Sequence, residues 1–290
     1  MEIDMGGLLL AIDMLLQQGE GMAVKHYGDK HKVGGMFFNA VICLFSTLFF
    51  IITDKGGLCF TNEMLVYGLI SCCMFALGFY SMYVALQIGS YVATKMIASF
   101  SGVISIVYGI AFLKEPASVF TYIGIVLVFI STVLMRYKKS ENDEKKKVSF
   151  KWIVWTLITA VSNGFIAVIS REQQLHFNNA YDNEFMILSF GGAFVALCII
   201  GFIYERENFK YIAKHGIVWG LLAGACNGGK NLVNLLIYLY IPISIATPLR
   251  TGLGFITSFL VSVLLYKEKF TKLQLLSVFL GIFALVLFKL

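Results

Sequence analysis

The sequence predicts an all-α integral membrane protein, with ten transmembrane helices as two inverted five-helix repeats around a central cavity. Three observations carry that prediction. Of 290 residues, 58% are hydrophobic and only 14% are charged, where a soluble domain has about 25% charged; mean hydropathy is +0.80. Ten apolar stretches follow one another, at about 6–24, 34–53, 64–86, 92–113, 119–136, 152–170, 185–204, 216–238, 243–266 and 271–288. Most approach the ~20 residues that a helix needs to cross ~30 Å of hydrocarbon. The third observation is that the second five stretches repeat the first five.

Taken in order, the spans carry polar residues in stripes rather than at random. On the first span Asp13, Gln17 and Glu20 fall at about 0°, 40° and 340° of a helical wheel, one face. Tyr80, Tyr83 and Gln87 share an arc of the third, and Lys95, Ser99 and Gly102 align on the fourth. The sixth offers Ser162 and Asn163. The eighth is the densest: Asn227, Lys230, Asn231, Asn234 and Tyr238 fall within an arc of roughly 100°. A turn at Pro242 separates it from the ninth, where Thr247, Arg250, Thr251 and Gly254 recur at helical spacing. A lysine or arginine at the bilayer centre costs at least about 2.5–3.5 kcal/mol, so these faces must meet protein or water. The expectation is that they line a water-reachable cavity. For isolated Ser99 and Ser162 the simpler reading is hydrogen bonding between helices; for Tyr80 and Tyr83 core packing is an equal alternative. For the charges the alternative is an internal salt bridge, with Asp13 or Glu20 paired to Lys230 or Arg250.

The longest polar break, residues 136–151, holds seven basic and three acidic residues and divides the chain. Residues 1–136 form the first repeat, 137–151 the linker and 152–290 the second. A shift of 153 residues carries Ala93-Thr94 onto Ala246-Thr247, Ser105 onto Ser258 and Lys114-Glu115 onto Lys267-Glu268. Near the start the shift becomes 145, matching Gln18-Gly19 to Asn163-Gly164. Five spans per half is an odd number, so the copies point oppositely through the membrane, as in transporters that rock one repeat against the other. The Lys-Glu pairs sit at span ends. Their expected role is structural, a glutamate favouring the N-terminus of the short fifth and tenth helices.

Several function classes are excluded. The net charge of +6 comes from loops and reads as orientation and lipid contact, not as nucleic-acid binding. Cys43, Cys59, Cys72, Cys73, Cys198 and Cys226 make no C-x-x-C pair and read as small hydrophobes. Metal-ligand spacing, a phosphate loop and a nucleophile elbow are missing, so neither metal nor other cofactor is expected, and no enzyme. No basic segment with a short apolar run and cleavage site is seen, so no cleaved signal peptide is expected.

Two five-span units, a Lys-Glu pair ending the fourth span of each, and a first span with Gly19 and Gly21 ending in Lys25 resemble the EamA family of the drug/metabolite transporter superfamily. The resemblance implies a ten-helix basket with a cavity formed mainly by helices 1, 3, 4, 6, 8 and 9. Members often carry Trp-Gly in the first helix, where this chain has Gln18-Gly19. The small multidrug resistance branch has a membrane-embedded glutamate in that helix; Asp13 and Glu20 stand at other distances from the following lysine.

The leading expectation is a secondary transporter in the cell membrane that exports small polar organic metabolites, amino acids or their relatives, on an ion gradient. Arginine suits a cargo carboxylate because its planar fork binds one bidentately. Asp13, Gln17 and Glu20 are the candidate coupling residues, with protons or another ion as the partner. The alternatives are efflux of hydrophobic cations and a membrane scaffold. Sixteen basic residues lie on the linker's face against four opposite, which puts the linker in the cytoplasm; the resemblance implies cytoplasmic termini instead.

Overall fold

The computed structural model describes residues 2–31, 35–88, 94, 97–136, 149–264 and 271–287. Its regular structure there is helical. We label the long helices α1 (Glu2–His31), α2 (Met36–Thr53), α3 (Asn62–Ile88), α4 (Gly102–Ala111), α5 (Val119–Arg136), α6 (Phe150–His176), α7 (Asp182–Tyr204), α8 (Ile217–Tyr240), α9 (Ile243–Leu264) and α10 (Lys272–Leu287). A 3-10 turn, Ser99–Ser101, leads into α4, and a short helix, Phe209–His215, precedes α8. Gly89, Lys95, most of the linker and the second Lys-Glu pair lie outside the described residues.

The helices fall at the predicted stretches, but several run further. α1 has 30 residues, about 45 Å at 1.5 Å per residue, and continues past Lys25 to His31. α6 extends to His176, so Arg171 is helical rather than in a loop. Among the described residues, α2, α3, α6, α7 and α9 are long and apolar enough to cross a membrane by length and composition. α1 and α8 fall short of that apolarity because they carry the polar stripes.

Packing repeats with the sequence. α1 lies on α8 and α6 on α3; α8 lies on α2 and α3 on α7; α1 crosses α9 and α6 crosses α4. Replacing each helix by the one five places along turns the first member of every pair into the second. α2 against α7, α5 against α10 and α4 against α9 map onto themselves. Two halves related in this way explain why residues so far apart in sequence share an interface.

Close approach is built from small residues. Gly220, Gly224 and Gly228 of α8 seat Val41, Phe45 and Phe49 of α2, and a Cβ on any of the three would collide. Both sets are spaced by four, so the helices run in register with a small-residue stripe against large knobs. In the related pair Gly68 of α3 meets Leu188 and Gly192 of α7 meets Cys72. The largest apolar core sits between α2, α3 and α7, around Phe50, Met64, Phe185, Phe190 and Leu197. α8 stops where Ile241 turns extended, since a proline at 242 disfavours helix in the residue before it. α9 also holds Pro248 inside the helix. That ring removes one backbone donor a half-turn before Arg250.

Candidate functional site

The polar stripes of α1, α8 and α9 meet. Arg250 of α9 makes a two-pronged ion pair with Asp13 of α1, Nε to Oδ2 at 2.8 Å and Nη2 to Oδ1 at 2.9 Å. Its Nη1 donates to Asn234 Oδ1 of α8 at 2.6 Å, and Tyr238 is a further neighbour of the guanidinium. Asp13 is fully buried, while the Arg250 side chain keeps 22% of its exposure. Two charges are tolerated here because each group's donors or acceptors are met by the other. About two turns along α1 from Asp13, Glu20 pairs with Lys230 of α8. Both internal salt bridges raised as the alternative are therefore formed, and both join α1 to the second half.

Other predicted residues are distributed around this centre. Gln17 packs against Gly254, its Oε1 buried with no partner. Asn227 is turned to α2, donating to Ser46 Oγ at 2.9 Å, and Asn231 donates to Asn227 on its own helix. Thr251 bonds the carbonyl of Thr247, while Thr247 Oγ1 finds no partner. Tyr80 and Tyr83 belong elsewhere. Tyr80 stands edge-on to Trp155 and beside Tyr204, and Tyr83 reaches the carboxylate of Glu205. Asn163 lies against Gly78 between α3 and α6.

The Lys-Glu pair that is described is structural, but not at the expected helix. Glu115 accepts from the backbone N–H of Ile243 at 3.0 Å and of Ser244 at 2.9 Å. It caps the N-terminus of α9 in the other half, not that of α5. Lys114 sits at φ 53°, and that turn aims Glu115 across the molecule. The reason is geometric: α4 and α9 face each other, so the end of one is the start of the other.

Sequence reasoning missed several polar contacts. Gln18 Nε2 donates to Thr257 Oγ1 at 3.0 Å, and the Trp152 indole donates to Thr94 Oγ1 at 2.8 Å. Tyr108 of α4 bonds Glu172 of α6. Gln173 and Gln174 are fully buried beside Asp182. The run Arg171-Glu172-Gln173-Gln174, just past the apolar stretch 152–170, is the available signal. The two large grooves described, one of about 580 Å³ between α3 and α6 and one of about 390 Å³ between α4 and α5, are lined by apolar side chains and Ser162. They lie away from Arg250.

Repeated helical halves, apolar spans and ion pairs held between helices define a multi-pass helical membrane protein. The chain belongs to the EamA-like transporter family, whose model matches residues 5–137 and again 150–290; it is a membrane transporter and not an enzyme. The match boundary falls in the charged linker. A solved crystal structure of a protein superposes with a TM-score of 0.74, at 11% identity, over 97% of this chain and 98% of that one. At that identity the likeness is one of fold. No curated protein matches the chain in sequence.

Proposed function

We propose that the protein is a secondary transporter in the cell membrane. It exports small polar organic metabolites that carry a carboxylate, amino acids among them, on a gradient of protons or another ion. In this reading ten helices form two inverted five-helix repeats around a central cavity. The supporting observation is the Asp13–Arg250 pair: a bidentate ion pair between helices of different halves, in which the Arg250 side chain keeps 22% of its exposure.

The pair gives a mechanism. While Asp13 is charged it occupies the fork of Arg250. A proton on Asp13 removes the charge that holds the fork, and Arg250 is then free to take a cargo carboxylate in the same bidentate geometry. Loss of the proton recaptures Arg250 and releases the cargo, so proton and cargo travel together and export runs down an outward gradient of the ion. Asn234 stays on Nη1 and keeps the guanidinium oriented. Gln17, Thr247, Thr251 and Tyr238 supply the polar wall, and Glu20 with Lys230 forms a second pair of the same kind.

The test is metabolite profiling of cells overexpressing the wild type or an Arg250→Ala/Lys230→Ala variant. The reading expects a defined set of carboxylate-bearing compounds to accumulate outside cells with the wild type only. Equal profiles from variant and wild type would remove these residues from cargo handling. Enrichment of lipophilic cations would favour multidrug efflux instead.

A further inference from the structure

The ends of α1 and α6 carry related histidines that the transport reading leaves unused. A shift of 145 residues, which relates these two helices, carries His31 onto His176. Each histidine fastens the first helix of one half to the other half, and the two do so at opposite ends of the bundle. α1 begins with Gly6 against Ile241, just past the end of α8, and its His26 stacks on Trp219 near the start of α8. α6 finishes where Gln174 bonds the carbonyl of Leu235, near the end of α8. The 24 residues of α8, about 36 Å of helix, run between the two ends.

The partners differ in charge. His176 Nε2 stands 3.1 Å from the Glu63 carboxylate at the start of α3, with the Tyr67 ring beside it. Glu172 lies one turn back on the same face of α6, and both carboxylates neighbour Tyr67. His31 meets a hydroxyl and an imidazole instead. Its Nδ1 is 3.0 Å from the Tyr211 hydroxyl and its ring is 5.4 Å from that of His215, both on the helix Phe209–His215. On α1 itself its neighbours are Tyr27, His26 and Lys30; Asp29, two residues back, points to another side of the helix. Burial, then His215, Lys30 and His26, all work against a charged His31. His176 is exposed and His31 half-buried, so solvent protons reach both.

We propose that His31 and His176 are proton-sensing clasps of opposite sign: acid at the His31 end loosens α1 from the connector before α8, and acid at the His176 end tightens α6 onto α3. Histidine is the side chain whose charge changes between about pH 5 and 8. A proton on His176 turns its contact with Glu63 into an ion pair. A proton on His31 keeps Tyr211 as a partner, since a hydroxyl accepts as well as donates. It also sets a cation against Lys30 and against a second imidazole that gains charge in the same range. For exposed groups each change is worth about two- to fivefold in an equilibrium. α1 carries Asp13 and Glu20, so the His31 clasp governs how freely the coupling helix moves. That consequence rests on the transport reading; the clasps themselves need no cargo.

The purified full chain in nanodiscs, with both faces at the same pH, is followed by backbone amide exchange corrected for its intrinsic pH dependence. Between about pH 7.5 and about pH 5.5, residues 209–215 should lose about two- to fivefold in protection and residues 62–67 should gain as much. His31→Gln should abolish the first response and leave the second. His176→Gln, and equally Glu63→Gln, should do the reverse. Asp13→Asn/Glu20→Gln should keep both, so that failure of proton coupling and failure of the clasps are told apart. A wild-type segment whose protection does not change with pH, at either end, overturns the proposal. So does a change of the same sign at both ends, and so does a response that survives removal of its own histidine.

Discussion

Two related crossings, α6 over α4 and α1 over α9, are built from opposite chemistry. In the first, the Trp152 indole closes on Thr94, Tyr108 bonds Glu172 and Gly164 sits on Ile104. In the second, Gln18 takes Thr257, which is Ile104 shifted by 153, and Gly19 is Gly164 shifted back by 145. The same shifts equate Trp152 with Gly7 and Thr94 with Thr247. A side chain at Gly7 would meet open space, and Thr247 Oγ1 has no partner. Asp13 and Arg250 correspond to Ile158 and Ile97. At these two positions one crossing has isoleucines and the other an ion pair, while the first is closed instead by the Trp152–Thr94 and Tyr108–Glu172 hydrogen bonds. Charge in the second crossing is therefore no requirement of the fold, which makes it the place to look for work.

That contrast can be broken most severely at Arg250. Arg250→Ala leaves Asp13 buried and unpaired, a loss of about 3–5 kcal/mol, and should abolish transport; thermal melts and cargo efflux measure the two. The sharper form converts the second crossing to the first, Asp13→Ile with Arg250→Ile. Well-packed apolar groups replace buried ion pairs at little cost or with a gain, so this protein should melt near or above the wild type while transporting nothing. A double variant that still transports would strip the crossing of its role.

Smaller effects are expected where both crossings share structure. Glu115→Ala frees two buried N–H groups at the start of α9 and should lower stability by about 1–3 kcal/mol, seen as a lower midpoint with the cargo profile unchanged. Trp152→Phe removes one hydrogen bond and should cost about 0.5–1.5 kcal/mol, with efflux within twofold. The smallest change should come from pH at the far end of α1. Burial, then His215, Lys30 and His26, hold His31 below its ordinary value of 6.5. The unfolded chain therefore takes the proton first, and stability should fall as pH drops through about 6.5; His31→Gln should flatten that slope.

Much of the fold was legible because lipid imposes it. Apolar length located the helices, the proline at 242 located a turn, and the charged linker falls between the two stretches that the family model matches. The duplication survived in the Thr94 and Thr247 register, and the choice of partners for Asp13 was short because few charges enter the spans. What escaped depends on which helix faces which. Glu115 looks like a cap for the helix that follows it, and only the packing of α4 on α9 reveals its target. Gln173 and Gln174 lie at a span end, where composition cannot distinguish a buried amide from a solvated one. Asn227 and Asn234 share a stripe in sequence, yet one is bound by α2 and the other by α9.

The account stands on one exchange, a proton on Asp13 for the grip on Arg250. Its most direct test is efflux by an Asp13→Asn/Glu20→Gln variant in proteoliposomes, with and without a pH gradient. The account predicts that cargo still equilibrates but that the gradient no longer accelerates it. Gradient dependence equal to that of the wild type would contradict it.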